Sequence, residues 1–190
     1  MRLKSNAGFV GFDGTENKRT VLAVDAVKKA AGIGGDLNVL LRQPHGRAKS
    51  ILSKFIRICD VKAYVSDDAD GAKWEKAGFS VQGGYDDFFE DSDFIMVGTP
   101  GDQETPYVEA GLAAGCTVSL MGGADRKDIL TALQEKGSEI SDGLEADFKR
   151  EFFFGLENYE AFSKAKPKVI QCTSCNTTGI CRASLAAAPS

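Results

Sequence analysis

Gly8-Phe9-Val10-Gly11-Phe12 runs straight into Asp13-Gly14-Thr15-Glu16-Asn17-Lys18-Arg19, and a helical pattern follows as far as Gly32. These residues decide the fold. An apolar run of this length reads as a strand covered on both faces. A glycine turn follows, and then Val21, Val24, Val27 and Lys28 recur at helical spacing over residues 20–31. Gly32 stops the helix, as a C-terminal glycine does. Strand, turn and helix form the first part of a βαβ unit.

The alternation continues outward. Short apolar runs predict strands over residues 37–41, 62–65, 94–98, 117–120 and 168–171. Helices are predicted over residues 47–58, with Ile51, Leu52, Phe55 and Ile58 on one face, over 108–114, and over 129–136, stopping at Gly137. Such repetition implies right-handed crossovers, hence an α/β, doubly wound, mostly parallel sheet with helices on both faces. Residues 138–151 are polar, and Phe152-Phe153-Phe154 predicts a short buried strand. The region at about residues 137–166 breaks the alternation and is expected to be an insertion packed on the sheet edge.

The chain has 190 residues, 43% of them apolar, with 23 Lys plus Arg against 27 Asp plus Glu and a net charge of −4. This suits one globular domain and excludes a disordered chain. The acidic balance argues against broad nucleic-acid binding, which needs a basic surface. No run approaches the roughly 18 apolar residues of a membrane span. Asp13 interrupts the first apolar stretch too early for a signal peptide. Five cysteines cannot all pair within the chain and are too few for a disulfide scaffold. A cytoplasmic location is the expectation.

A glycine turn feeding a helix is where a pyrophosphate binds, on free N–H groups and the positive end of the helix dipole. The full fingerprint would be G-x-G-x-x-G. Here its positions hold Phe12, Gly14 and Asn17, so only the glycine that lets the backbone approach phosphate survives. The bland alternative is a turn that binds nothing. Residues 37–59 contain no acidic residue but carry Arg42, Arg47, Lys49, Lys54, Arg57 and the sole histidine, His45. An NAD site usually places Asp or Glu after the second strand. Arg42 there suits a 2′-phosphate and leans the reading to NADP. The alternative is a solvated basic face, and His45 either lies near the adenosine phosphate or is exposed. The loops Gly98-Thr99-Pro100-Gly101 and Met121-Gly122-Gly123 follow strands four and five, where α/β sheets line their ligand crevice. Asp86, Asp87, Glu90, Asp91 and Asp93 read as a solvated loop and helix whose Phe88 and Phe89 pack inward. Trp74 reads as a packing residue.

The last strand delivers Cys172-Thr173-Ser174-Cys175-Asn176-Thr177-Thr178-Gly179-Ile180-Cys181-Arg182. Ser174, Asn176 and Thr177 are good helix caps, and a cysteine at a helix N-terminus has its thiolate favoured. Cys175 is therefore the candidate nucleophile, with Asn176 beside it as a candidate oxyanion donor. Two other uses stay open: a redox pair Cys172/Cys175, and a metal site from Cys172, Cys175 and Cys181 with Cys116. Cys59 and Cys116 read as buried structural thiols. No metal is assigned.

At these residues the sequence resembles archaeal-type glyceraldehyde-3-phosphate dehydrogenase. The match is most specific at Ser174-Cys175-Asn176-Thr177-Thr178 with Arg182. Gly14-Thr15 with Lys18-Arg19, Ser92-Asp93, Thr99-Pro100, Gly122-Gly123 and Asn158-Tyr159 support it across residues 7–183. The resemblance implies a Rossmann-like NAD(P)-binding domain over residues 1–183, with an insertion at about 127–152, longer there than the family needs, and a cofactor, NADP or NAD, near Gly14, Thr15, Arg42, Thr99, Pro100 and Gly122. It further implies that Cys175 attacks an aldehyde phosphate, that hydride passes to the nicotinamide, and that inorganic phosphate releases the thioester. Asn176 would orient substrate or intermediate. The family's general base and phosphate ligands come from a catalytic domain after the cysteine. Residues 184–190 therefore read as a truncated tail, and the chain is expected to be partial and inactive alone. The family forms tetramers, so a homo-oligomer is expected of the full chain. The alternative is a non-catalytic Rossmann-type binding or redox-sensing module.

Overall fold

The computed structural model describes residues 5–121, 123–154 and 158–172. Among them six strands form one parallel sheet: β1 (Ala7–Val10), β2 (Leu37–Leu41), β3 (Lys62–Val65), β4 (Phe94–Val97), β5 (Thr117–Leu120) and β6 (Val169–Gln171). Their order is β3-β2-β1-β4-β5-β6. The chain winds from β1 outward through β2 to β3, crosses back to β4, and winds the other way to β6. This is the doubly wound Rossmann-like arrangement, with its topological switch between β1 and β4.

The strand positions agree with the sequence reading to within two residues, because double burial leaves little freedom. Phe9, Val39, Leu41 and Val65 face one layer of helices, α1 (Thr15–Ala31), α2 (Gly46–Cys59) and α3 (Asp68–Lys76). Val10, Leu40, Ile95, Val97, Val118 and Leu120 face the other layer, α4 (Tyr85–Glu90), α5 (Thr105–Ala113), α6 (Arg126–Glu135) and α7 (Asp142–Lys149). α8 (Tyr159–Ala165) leads into β6.

Helices departed more from expectation. α2 buries Ala48, Leu52, Phe55 and Cys59, while Ile58 is exposed. The buried seam is thus rotated from the predicted stripe, and Cys59 takes the place given to Ile58. In α1, Val21 is fully buried and Val27 is exposed, so only part of the apolar spacing meets the sheet. α3 has no apolar stripe. The Asp67 carboxylate caps it by accepting from the Ala69 N–H at 2.8 Å, and the fully buried Trp74 anchors it. The polar stretch after α6 contains α7, which Asp147 fastens to β6. Its carboxylate accepts from the Lys168 N–H at 2.6 Å and from Arg150 at 3.2 Å. The three phenylalanines that follow make one bridge, Phe153 with Cys172 beyond the end of β6. Phe154 is buried but Phe152 is half exposed. The expected strand reduces to that single pairing.

At the amino ends of the strands a polar network interrupts the apolar layers. Asn38, fully buried in β2, donates to the Asp91 carbonyl at 2.9 Å and to Ser92 Oγ at 3.1 Å. Ser92 Oγ donates to the Phe88 carbonyl at 2.7 Å. This fixes α4 beneath the sheet, where Phe88 packs edge-on against Tyr64 and Phe89 at ring separations of 5.9 and 5.0 Å. Phe88→Ala should therefore cost about 3–5 kcal/mol of stability. Urea unfolding followed by circular dichroism checks this, as a lower midpoint at unchanged slope.

Candidate functional site

Loops at the carboxyl ends of β1, β2 and β4 surround the switch point, and there the first turn takes a shape its glycine spacing did not reveal. Gly11 has φ +74°, a left-handed conformation that glycine adopts without strain. Its carbonyl accepts from the Gly14 N–H at 3.0 Å. Gly11, one residue ahead of the fingerprint position occupied by Phe12, therefore makes the tight turn. Phe12 is instead buried against Phe55 of α2, ring centroids 6.4 Å apart.

The close packing of helix on sheet is also preserved, by exchange. Asn17 is buried and its Nδ2 donates to the Val10 carbonyl at 2.6 Å. The space it needs comes from Gly98, at which a Cβ would stand 2.6 Å from Asn17 Nδ2. The small residue has moved from the helix to the end of β4. Neither Gly11 nor Gly98 was singled out for this role in the sequence. The signal was there as two glycines directly after two apolar strands.

α1 opens on Gly14, which has no side chain to cap the first turn. Its N-terminal N–H groups are therefore available to a ligand. A Cβ on Gly14 would lie 3.1 Å from the Gly11 carbonyl oxygen, so this cradle admits glycine and little else. Two buried polar atoms beside it have no hydrogen-bond partner, Asn17 Oδ1 and Thr99 Oγ1. A polar group bound in the crevice would satisfy such atoms, since unpaired buried polar atoms are otherwise costly. Thr99 and Pro100 stand at the end of β4, and the Thr99 backbone nitrogen is 3.3 Å from where a Cβ on Gly11 would be. The cradle, the uncapped helix and the Thr99 hydroxyl, which can donate, fit the phosphates of a dinucleotide; Asn17 Oδ1 only accepts and calls for a donor.

Arg42 leaves the end of β2 and is exposed. Its carbonyl accepts from the indole N–H of Trp74 at 2.6 Å, which pins the backbone. Its guanidinium donates to Gln103 Oε1 at 3.1 Å, in the short 3₁₀ turn Gly101–Gln103 after β4. Because β1 lies between β2 and β4, this bond spans the mouth of the crevice. Gln103 had no signal in the sequence, since a polar loop residue far along the chain carries no pattern. His45 caps α2 by accepting from the Ala48 N–H at Nδ1, 3.4 Å away. Its Nε2 is 3.3 Å from the Asp13 carboxylate, tying the second loop to the first turn. The structure thus brings together Gly14, Arg42, Thr99 and Pro100, with Thr15 opening α1. Gly122, Cys175 and Asn176 lie outside the described residues.

Of the remaining cysteines, Cys59 and Cys116 are buried, and burial raises both thiol pKa values. Cys116 Sγ donates to the carbonyls of Ser92 and Phe89 at 3.0 and 3.4 Å. Cys172 is half-buried after β6, its sulfur 3.3 Å from Ser119 Oγ. Among the described residues no group of three His, Cys, Asp or Glu is placed to hold a metal ion, and no helix is long and apolar enough to cross a membrane.

No family model matches the chain, and no curated protein matches it in sequence. Among solved structures it is similar to aspartate semialdehyde dehydrogenase II of Vibrio cholerae, complexed with ASA, at TM-score 0.50 and 13% identity, over 93% of this chain and 44% of that one. It is also similar to the PH0520 protein of Pyrococcus horikoshii OT3, at TM-score 0.38 and 14% identity, over 90% of this chain and 41% of that one. The chain thus spans less than half the length of either structure. The first likeness supports the Rossmann-like fold.

Raised pKa values leave less thiolate at neutral pH, and the thiolate is the form that reacts. Under native conditions at pH 7, Cys59 and Cys116 should be alkylated by iodoacetamide at least about tenfold more slowly than in urea. Peptide mass spectrometry of quenched time points measures both rates.

Proposed function

We propose that this chain is the nucleotide-binding, nucleophile-bearing part of an NAD(P)-dependent dehydrogenase that oxidises an aldehyde through a cysteine thioester, of the glyceraldehyde-3-phosphate dehydrogenase kind. The observation that carries it is the switch point, where the Gly11–Gly14 cradle, the uncapped start of α1 and the Thr99 hydroxyl come together. The aldehyde dehydrogenase among the structural neighbours agrees in fold. The choice of a phosphorylated aldehyde rests on the Ser174-Cys175-Asn176-Thr177-Thr178 motif.

The bound nicotinamide nucleotide supplies the hydride acceptor. The first turn of α1 and Gly14 hold its pyrophosphate, Thr99 and Pro100 border it, and Arg42 faces the adenosine side. There a guanidinium pairs with a 2′-phosphate as it cannot with a hydroxyl, so NADP is preferred to NAD. Cys175 attacks the aldehyde carbon and carries the acyl group as a thioester, which inorganic phosphate cleaves. Asn176 holds the carbonyl oxygen of the intermediate. General acid–base catalysis is worth on the order of 10²–10⁴ in rate. His45 does not supply it, being committed to the α2 cap and to Asp13. The complete reaction is therefore assigned to a larger assembly that brings a base and phosphate ligands to Cys175.

Titration calorimetry with NADP and NAD tests the reading. NADP should bind more tightly. Arg42→Glu should weaken NADP by about tenfold or more, as expected for loss of one charge-assisted pair, and NAD by much less. Equal losses defeat the 2′-phosphate assignment. If neither nucleotide binds at millimolar concentration, the chain is instead a non-catalytic module.

A further inference from the structure

A second crevice opens at the carboxyl ends of β5 and β6, away from the switch point. It is a cavity of about 880 Å³ between the start of α6 and the end of α7. Leu130, Phe148 and Phe152 give it an apolar floor, and Arg126, Lys127 and Lys149 stand on its walls. Phe152 is half exposed there.

The charges of this cavity do not cancel. The one carboxylate among the described residues that line it, Asp125, caps α6 by accepting from the Lys127 N–H at 2.9 Å. Lys149 is paired with Glu145 at 2.5 Å. Among the described residues Arg126 and Lys127 have no carboxylate within ion-pairing distance. Arg126 is also held in place. Its guanidinium lies over the Phe152 ring, 4.7 Å from the centroid, and donates to the Arg150 carbonyl. An immobilised guanidinium loses little entropy when it takes a further partner. Its partial burial disfavours the charged form, a cost that a bound anion would offset. Apolar lining with a few fixed polar groups is the usual make-up of a small-molecule site.

We propose that this cavity binds a small organic anion, its apolar body on Leu130, Phe148 and Phe152 and its phosphate or carboxylate on Arg126 and Lys127. The site lies away from Gly14 and Arg42 and does not depend on them; Met121, Gly123 and Cys172 also line it.

Phenyl phosphate is a suitable probe, added to the full chain without nucleotide and followed by amide chemical shifts. Saturable binding in the millimolar range is expected, with shifts concentrated at residues 125–131 and 148–152. Inorganic phosphate, lacking the apolar body, should bind several-fold more weakly. Lys127→Glu should weaken phenyl phosphate about two- to fivefold, the size of effect expected for one exposed charge. An acidic residue in the first turn of a helix is itself favourable, so this variant should fold. Lys54→Glu, the same charge change on the distant helix α2, should have no effect. The proposal is overturned if no saturable binding occurs up to about 10 mM, a limit corresponding to very weak association. Equal affinity for inorganic phosphate, equal losses in the two variants, or shifts confined to the β1–α1 turn would also overturn it. Because no nucleotide is present, a failure here does not count against NADP binding at Gly14 and Arg42, and shifts confined to the β1–α1 turn would support it.

Discussion

The near-contact of two backbones, at Gly11 and Gly98, is the constraint on which the rest of this molecule depends. A Cβ on Gly11 would come within 3.0 Å of the Gly98 carbonyl oxygen. That proximity sets the first turn against the end of β4 and leaves a pocket for Asn17, which pins α1 to β1 through the Val10 carbonyl. The start of α1 then points at the gap between β1 and β4, where the winding of the sheet reverses. Turn, helix axis and switch point are one construction, and a bulkier residue at either glycine would separate them.

Around this centre the two ends of the strands have different jobs. The amino ends are closed by Asn38, Ser92 and Asp91, whose hydrogen bonds lock α4 under the sheet. The carboxyl ends carry the uncapped start of α1 and the Thr99 hydroxyl, while buried oxygens without a partner occur at both ends, Asn38 Oδ1 below and Asn17 Oδ1 above. The loops placed to take a ligand lie above. This division is general to open α/β sheets, because loops leaving the carboxyl ends splay apart at the reversal point.

Much of this was legible in the sequence, for identifiable reasons. Strands buried on both faces are continuous apolar runs, so Leu37–Leu41 and Thr117–Leu120 were readable to the residue. Helices resting on one face leave more freedom. α2 turned to bury Cys59 and to expose Ile58, since a small thiol fits against the sheet where a branched side chain does not. α3 depends on one cap and one tryptophan, which no periodicity announces. At the site, Arg42 directly follows a strand, and Gly14 and Thr99 stand in the short loops after β1 and β4, where sequence reading looks for ligand residues. Gln103 and the exchange between Asn17 and Gly98 were not, since both join residues far apart in the chain through shape alone. The candidate nucleophile Cys175 rests on a local motif alone and lies outside the described residues.

The indole of Trp74 has a consequence of its own. It is the sole tryptophan of the chain, it is fully buried, and its N–H is bonded to the Arg42 carbonyl at the rim of the crevice. Its emission therefore comes from a single environment, coupled through one bond to the segment that would shift when the crevice is occupied. The molecule carries a built-in optical reporter, and occupancy can be followed by light without attaching a dye.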